Sequence, residues 1–146
     1  QVLAFDVDET ALTQLYTDAR AASQRIIPLV MNFKFFTPAV GYFCRTRPAA
    51  NDRLQCDMVM AIALTHHLVF KQPLRFESIT EGLDLFTRRW LLVEFKPRTN
   101  KHVSRWWTEE YSWYTQENLV SALGGRFRSV TVLYSEPESA LLLCEK

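Results

Sequence analysis

The sequence lacks several features that would assign a class of function directly. Its 146 residues carry a formal net charge of only +1, with basic and acidic residues interspersed. This charge balance offers no electrostatic case for binding nucleic acid or an anionic membrane surface. No apolar run reaches the roughly 18 to 20 residues that span a bilayer. From these absences we expect neither nucleic acid nor a membrane among the partners.

The cysteines also exclude two kinds of architecture. The chain has three, Cys44, Cys56 and Cys144, and none has the Cys-x-x-Cys or Cys/His spacing of a zinc site. An odd number without such spacing indicates neither a disulfide framework nor a structural metal. We therefore expect no metal and a reducing, cytoplasmic setting.

The periodicity of the chain predicts an α/β fold in a single domain, residues 1–146. Apolar runs predict strands and amphipathic stretches predict helices, with one long irregular segment at 32–55. The expected strands are 2–5, 26–31, 57–64, 90–95, 127–134 and 140–144, and the expected helices are 10–24, 74–88, 100–108 and 116–123. This alternation favours a doubly wound, mostly parallel sheet. The short link before the last strand requires a C-terminal antiparallel hairpin.

The stretch Asp6-Val7-Asp8-Glu9-Thr10 follows the first predicted strand and fits two unrelated enzymes. Phosphohydrolases of the haloacid dehalogenase type carry Asp-x-Asp-x-Thr after a strand, and their first Asp is the nucleophile. Such an enzyme also needs a Lys and a second acidic site for magnesium later in the chain. No Asp follows Asp84, and Glu145 and Lys146 lie at the very end of the sequence, where they are poor substitutes for these partners.

The second possibility is that Asp6 holds a ribose. In open α/β sheets, ligands lie beyond the carboxyl ends of the strands, where a carboxylate can accept hydrogen bonds from a ribose diol. Over nearly its whole length the chain resembles the class I S-adenosylmethionine-dependent methyltransferases, in a bacterial branch that acts on small molecules. The matching segments are FDVDETALTQLYTDAR, IIPLVMNFKFFTPAVGY, CDMVMAIALTHHL, WLLVEFKP and SALLLCEK.

The resemblance implies a Rossmann-like fold, the cofactor S-adenosylmethionine and a set of binding residues. Asp6 matches the ribose-binding acid, with Val7 and Asp8 beside it. Asn32 and Phe33 match the adenine-binding position, where the family often has Asp. Leu64 and His66 match the segment near the methionine part of the cofactor and the transferred methyl group.

The chain departs from the family at one place. Its glycines are Gly41, Gly82, Gly124 and Gly125, and none belongs to the Gly-rich loop that follows the first strand in the family. We therefore expect a domain truncated before its second strand, with the first strand and that loop missing. Such a chain should bind the cofactor poorly, and its exposed sheet edge could promote self-association.

Other residues have two interpretations each. His66 and His67 either act as a catalytic base or line the pocket. Glu94 either faces an acceptor or pairs with a nearby cation, and the Trp106–Tyr114 cluster is either a lid or core packing. Arg45, Arg47 and Arg53 either bind an anion or form a solvated loop face, and His102 is expected to be exposed. The alternative to an enzyme is a non-catalytic scaffold with a methyltransferase-like fold.

Overall fold

The structure is a computed structural model that describes all 146 residues. Its strands are β1 (Val2–Asp6), β2 (Ile26–Val30), β3 (Cys56–Ala61), β4 (Thr87–Phe95), β5 (Ser129–Glu136) and β6 (Ser139–Glu145). Its helices are α1 (Glu9–Ala21), α2 (Ala50–Arg53), α3 (Thr65–Lys71), α4 (Phe76–Phe86), α5 (Val103–Trp106) and α6 (Gln116–Gly124). The chain divides into two compact units, Gln1–Leu54 and Gln55–Lys146. The expectation of a single domain stays a prediction.

The N-terminal unit is built on a parallel pair of strands. β1 and β2 pair in register from Val2 opposite Ile26 to Asp6 opposite Val30. Pro28 lies in the middle of β2, which is compatible with a strand that has a sheet neighbour on one side only. α1 contacts both strands. This parallel β-α-β arrangement is the one that the sequence predicts.

The start of α1 differs from the expectation. The sequence predicts a helix that begins at Thr10, a residue type suited to capping, but the capping residue is Asp8, whose Oδ1 accepts from the backbone N–H groups of Thr10 and Ala11 at 2.9 and 3.0 Å. A carboxylate at this position satisfies otherwise unpaired donors and interacts favourably with the positive helix terminus. The helix therefore begins one residue earlier than predicted, at Glu9.

The C-terminal unit contains a four-stranded mixed sheet in the order β3-β4-β6-β5. β3 and β4 are parallel, whereas β6 runs antiparallel to both β4 and β5. β5 and β6 form the expected hairpin, with only Pro137 and Glu138 between them. The predicted α/β fold with a C-terminal antiparallel hairpin is confirmed, and its strands hydrogen-bond as two sheets.

Alternating burial shows where the core of this unit lies. In β6, Ala140, Leu142 and Cys144 are buried, and burial raises the pKa of the Cys144 thiol to about 12. The continuous apolar run 58–64 predicts a strand covered on both faces, but Met58 and Met60 of β3 are 48% and 63% exposed. Its apolar sequence therefore does not reflect complete burial.

The helices of the C-terminal unit follow their apolar spacing in part. Phe76, Ile79, Leu83 and Phe86 are buried on one face of α4, as predicted. The first of these is covered by aromatic rings, including Tyr114 at a centroid distance of 5.3 Å. The helix α3 was missed because its seven residues are too few to show a period clearly.

Candidate functional site

The N-terminal unit brings two of the predicted cofactor residues to one sheet edge. Asp6 ends β1, and Asn32 follows β2 two residues after Val30, the register partner of Asp6. The backbone N–H of Met31 donates to the Asp6 carbonyl at 2.9 Å, which continues the pairing beyond the strands. Because parallel strands end at the same edge, these two polar side chains lie at the carboxyl end of the pair.

The Asp6 carboxylate is exposed, and only one of its two oxygens accepts hydrogen bonds. Its Oδ1 accepts from the backbone N–H groups of Val7 and Asp8 at 2.6 and 3.1 Å, while Oδ2 has no hydrogen-bond partner. Asn32 is half-buried, and its Oδ1 accepts from the Lys34 N–H at 2.8 Å. The side-chain amide nitrogen of Asn32 and Oδ2 of Asp6 are thus the polar groups available to a ligand.

Other predicted cofactor residues in this unit have structural roles. Asp8 caps α1, and Phe33 is buried with 8% of its surface exposed. Val7 is 60% exposed and follows directly on Asp6. Of these three, only Phe33 is largely inaccessible to a ligand, since Val7 and Asp8 are both exposed.

In the C-terminal unit the candidate site is the turn between β3 and α3. Ala63 lies in this turn with φ +52°, a left-handed conformation that is unfavourable for a residue with a Cβ. Leu64 follows Ala63 and precedes Thr65, the first residue of α3. Its side chain is half-buried. Strained residues persist where their surroundings hold them, and they are common at functional sites.

Glu94, near the end of β4, holds this turn. Its Oε2 accepts from the Ala63 N–H at 2.7 Å, and its carbonyl accepts from the Thr65 hydroxyl at 2.8 Å. Its Oε1 accepts from the Ser139 hydroxyl at 2.7 Å and pairs with Lys96 Nζ at 2.5 Å. Burial opposes the charged carboxylate, but these donors outweigh it and lower the pKa of Glu94. Of the two interpretations of Glu94, pairing with a cation is confirmed.

All three histidines of the chain approach one tryptophan. The rings of His66, His67 and His102 lie at centroid distances of 6.2, 5.5 and 6.2 Å from Trp106. His66 and His67 are themselves 4.3 Å apart. His102 is exposed, as expected, yet it belongs to this group of rings. The sequence could not show this, because residues 66 and 102 belong to different elements.

Burial separates the two adjacent histidines chemically. His66 is 4% exposed, and its Nδ1 has no hydrogen-bond partner. Burial, followed by the neighbouring His67 and Lys96, lowers the pKa of His66 to about 4. The side chain is therefore neutral at pH 7 and a weak base, whereas His67 is only half-buried and more accessible.

The aromatic cluster is mainly packing. Tyr114 is buried, its hydroxyl donates to the Lys96 carbonyl at 2.9 Å, and burial raises its pKa. Trp106, Trp107, Tyr111 and Trp113 are half-buried, and the ring of Trp113 lies 6.3 Å from that of Tyr114. The interpretation as core packing is confirmed for Tyr114. In the loop, the side chains of Arg45, Arg47 and Arg53 are exposed, as a solvated face requires.

The structure therefore presents two separate groups of candidate residues. Asp6 and Asn32 lie together in the N-terminal unit, and Leu64, His66 and His67 lie together in the C-terminal unit. Sequence reasoning missed the strained Ala63 and the contacts of Ser139 and Lys96 with Glu94. No local pattern marks these residues, since each contact joins elements that are distant in the chain.

Comparison with known proteins supports the fold. No protein-family model matches the chain. Nodulation protein NoeA of Rhizobium meliloti (strain 1021) is 25% identical over 133 residues, which cover 89% of this chain and 28% of that protein. Two crystal structures of magnesium protoporphyrin IX methyltransferase (ChlM) from Synechocystis PCC 6803 are similar in fold. The one with bound SAM has a TM-score of 0.58 at 11% identity, and the one with bound SAH has a TM-score of 0.57 at 10% identity.

These similarities differ in how much of each protein they cover. Both structural alignments cover 99% of this chain, but only 58% and 63% of the two methyltransferase chains. The chain thus spans about three-fifths of these structures and 28% of NoeA. At this level of identity the similarity shows the fold, which is the one that the sequence resemblance implies.

Proposed function

We propose that the chain belongs to an S-adenosylmethionine-dependent methyltransferase that acts on a small-molecule acceptor in the cytoplasm. The observation that carries the proposal is the fold match over 99% of the chain to a methyltransferase with bound SAM. The position of Asp6 adds support, because an exposed carboxylate with a free oxygen ends the first strand of a parallel pair. No helix in the structure is both long and apolar enough to cross a membrane.

The proposed cofactor residues are those of the family resemblance. Asp6 would accept a hydrogen bond from a ribose hydroxyl through Oδ2, with Val7 and Asp8 beside it. Asn32 and Phe33 would lie near the adenine. Leu64 and His66 would lie near the methionine part, where the neutral imidazole of His66 avoids placing a second positive charge beside the sulfonium.

The chemistry requires a methyl donor and the loss of a proton. When bound, S-adenosylmethionine supplies an electrophilic methyl group that moves to a nucleophilic atom of the acceptor. His66 is a weak base at neutral pH, so we assign removal of the acceptor proton to His67, the more accessible of the pair. Alignment of the reactants can itself supply much of the rate, and Glu94 would contribute by fixing the turn.

The experiment is a calorimetric titration of S-adenosylhomocysteine into the protein extended to the length of its methyltransferase neighbours, and into the Asp6→Ala variant of that protein. Losing a hydrogen-bonded carboxylate should weaken binding by about 1.5–3 kcal/mol, or roughly ten- to a hundredfold. Asp52→Ala is the matched control, since Asp52 is an exposed acid of the same unit and lies on α2. Its affinity should equal that of the unsubstituted chain.

Three further results would count against the proposal. Binding without methyl transfer to any offered acceptor, in a protein extended to the length of its methyltransferase neighbours, would favour a non-catalytic scaffold. Absence of binding by the folded, extended protein would contradict the cofactor assignment. A magnesium-dependent release of phosphate that Asp6→Asn abolishes would instead identify a phosphohydrolase.

A further inference from the structure

The positive charge of the chain is concentrated in one segment, although its net charge is close to zero. Residues 19–51, which we call the acid-free segment, contain five Lys and Arg residues and no Asp or Glu. All of these cations are exposed: Arg20, Arg25, Lys34, Arg45 and Arg47. The remainder of the chain has more acidic than basic residues. The even charge balance of the whole chain therefore conceals a segment whose exposed charges are all positive.

The same segment exposes large aromatic side chains. Phe35, Tyr42 and Phe43 are 74%, 80% and 75% exposed, more than any other large apolar residue of the chain. Val40 adds an aliphatic side chain at 40% exposure. A single exposed apolar residue is ordinary, but several of this size close together mark an interaction surface.

Backbone contacts hold two of these rings at the tip of a closed loop. Val40 and Arg47 form a bridge with reciprocal hydrogen bonds of 3.0 and 3.1 Å, which closes the intervening residues 41–46. The Tyr42 N–H donates to Thr46 Oγ1 at 3.1 Å. Phe43 has φ +51°, an uncommon conformation for a bulky residue. The loop thus presents Tyr42 and Phe43 to solvent. In the sequence, Lys34 precedes these two residues, and Arg45 and Arg47 follow them.

We propose that the acid-free segment docks on an anionic lipid bilayer. Tyr42 and Phe43 enter the headgroup region, and Arg45 and Arg47 pair with lipid phosphates. Aromatic rings are favoured at this depth, and basic residues near an anionic leaflet are attracted to it. The proposal concerns the surface of the protein and does not depend on the methyl-transfer activity.

The geometry favours lipid over single-stranded nucleic acid. Bases stack on the flat faces of aromatic rings arranged along a groove. Here the rings of Tyr42 and Phe43 meet edge to face, with an interplanar angle of 67° and centroids 4.5 Å apart. The exposed side chain of Val40 cannot stack on a base, but it adds apolar area that can insert into a bilayer.

The experiment is co-sedimentation of the chain with two kinds of vesicle, pure phosphatidylcholine and an equimolar mixture with phosphatidylglycerol. We expect binding to the anionic vesicles alone, weakened by added salt. The double variant Tyr42→Ser/Phe43→Ser should reduce binding at least tenfold. In Arg45→Gln/Arg47→Gln, each lost cation should reduce it roughly fivefold.

Two control variants match these changes outside the segment. Leu133→Ser removes a side chain that is 52% exposed on β5, and Arg88→Gln/Arg89→Gln removes two adjacent exposed cations of β4. Both should retain the binding of the unsubstituted chain, and circular dichroism should show that every variant is folded.

Three results would overturn the proposal. The first is equal sedimentation with both vesicles or with neither. The second is an equal loss of binding in the control variants, since the attraction would then be unspecific. The third is tight binding of a single-stranded oligonucleotide that displaces the vesicles, because the surface would then be a nucleic-acid site.

Discussion

In the C-terminal unit, β4 and β6 together bury seven side chains, and Glu94 fixes the candidate turn through contacts to three other residues. In the N-terminal unit, no residue of β1 or β2 is buried, and Asp6 is held by contacts to its own neighbouring backbone. The two groups of candidate residues therefore differ in their support. The turn that carries the histidines is preorganised, whereas Asp6, the proposed ribose acid, lies on a unit with little core of its own.

This difference has a consequence for binding. A site on a weakly packed unit must be ordered by its ligand or by neighbouring structure, and the cost of ordering reduces the affinity. A rigid turn incurs no such cost. We therefore expect the affinity for a cofactor to depend more on the stability of the N-terminal unit than on that of the C-terminal unit.

The largest effect should come from truncating the core of the C-terminal unit. Leu91 is fully buried in β4, so Leu91→Ala should lower the free energy of unfolding by about 2–5 kcal/mol. Leu29 is only half-buried in β2, so Leu29→Ala should cost about 1–2 kcal/mol, because less apolar surface is lost. Chemical denaturation measures both. An equal loss of stability in the two variants would contradict the difference in packing between the units.

The buried histidine should make the stability depend on pH. The folded-state pKa of His66 is about 4, below its ordinary value of 6.5, so the unfolded chain takes up a proton that the folded chain excludes. Stability is therefore full above pH 6.5 and falls as the pH decreases toward 4. Between pH 7 and 5 the loss should be on the order of 2 kcal/mol.

A pair of variants isolates this contribution. His66→Gln should remove most of the loss between pH 7 and 5, whereas His102→Gln should retain it because His102 is exposed. The measurement is chemical denaturation at each pH. A slope that survives in His66→Gln would assign the pH dependence to other groups and would contradict the lowered pKa.

Glu94→Gln tests how the turn is held. The amide oxygen of Gln can still accept one hydrogen bond, but the ion pair with Lys96 is lost. The variant should be less stable by about 1–3 kcal/mol at pH 7. Because the pKa of Glu94 is lowered, its contribution is present at neutral pH and decreases as the pH falls below the ordinary value of 4.5. The difference between wild type and variant should therefore shrink in acid.

An exposed ion pair provides the control for that variant. Glu81 pairs with Arg126 at 3.5 Å, with both side chains largely exposed. Solvent screens such pairs, so Glu81→Gln should change the stability by at most about 0.5 kcal/mol. A loss in Glu81→Gln as large as in Glu94→Gln would show that the network around Glu94 has no special role.

The sequence predicted features that depend on local spacing better than features that depend on contacts between distant segments. Apolar spacing predicted α4 and the two strands of the hairpin, because local periodicity directly reflects which faces are buried. For β3 it predicted the strand but not its burial, since Met58 and Met60 are apolar yet exposed. It also failed for the cap of α1, where Asp8 and Thr10 are both suitable capping residues. The grouping of three histidines around Trp106 depends on packing between distant segments, which no local pattern records.

The smallest effect should be a gain in stability at the strained turn. Ala63 has φ +52°, a conformation that costs a residue with a Cβ about 1 kcal/mol and costs glycine almost nothing. Ala63→Gly should therefore raise the free energy of unfolding, by up to about 1 kcal/mol, with part of the gain offset by the more flexible unfolded chain. Ala122→Gly, in the ordinary helical conformation of α6, should lower it by about 0.5–1 kcal/mol. A loss in both variants would show that the turn relaxes in solution. A gain at residue 63 alone would show that Glu94 holds Ala63 against its own preference, and hence that the turn carrying His66 is fixed before any ligand binds.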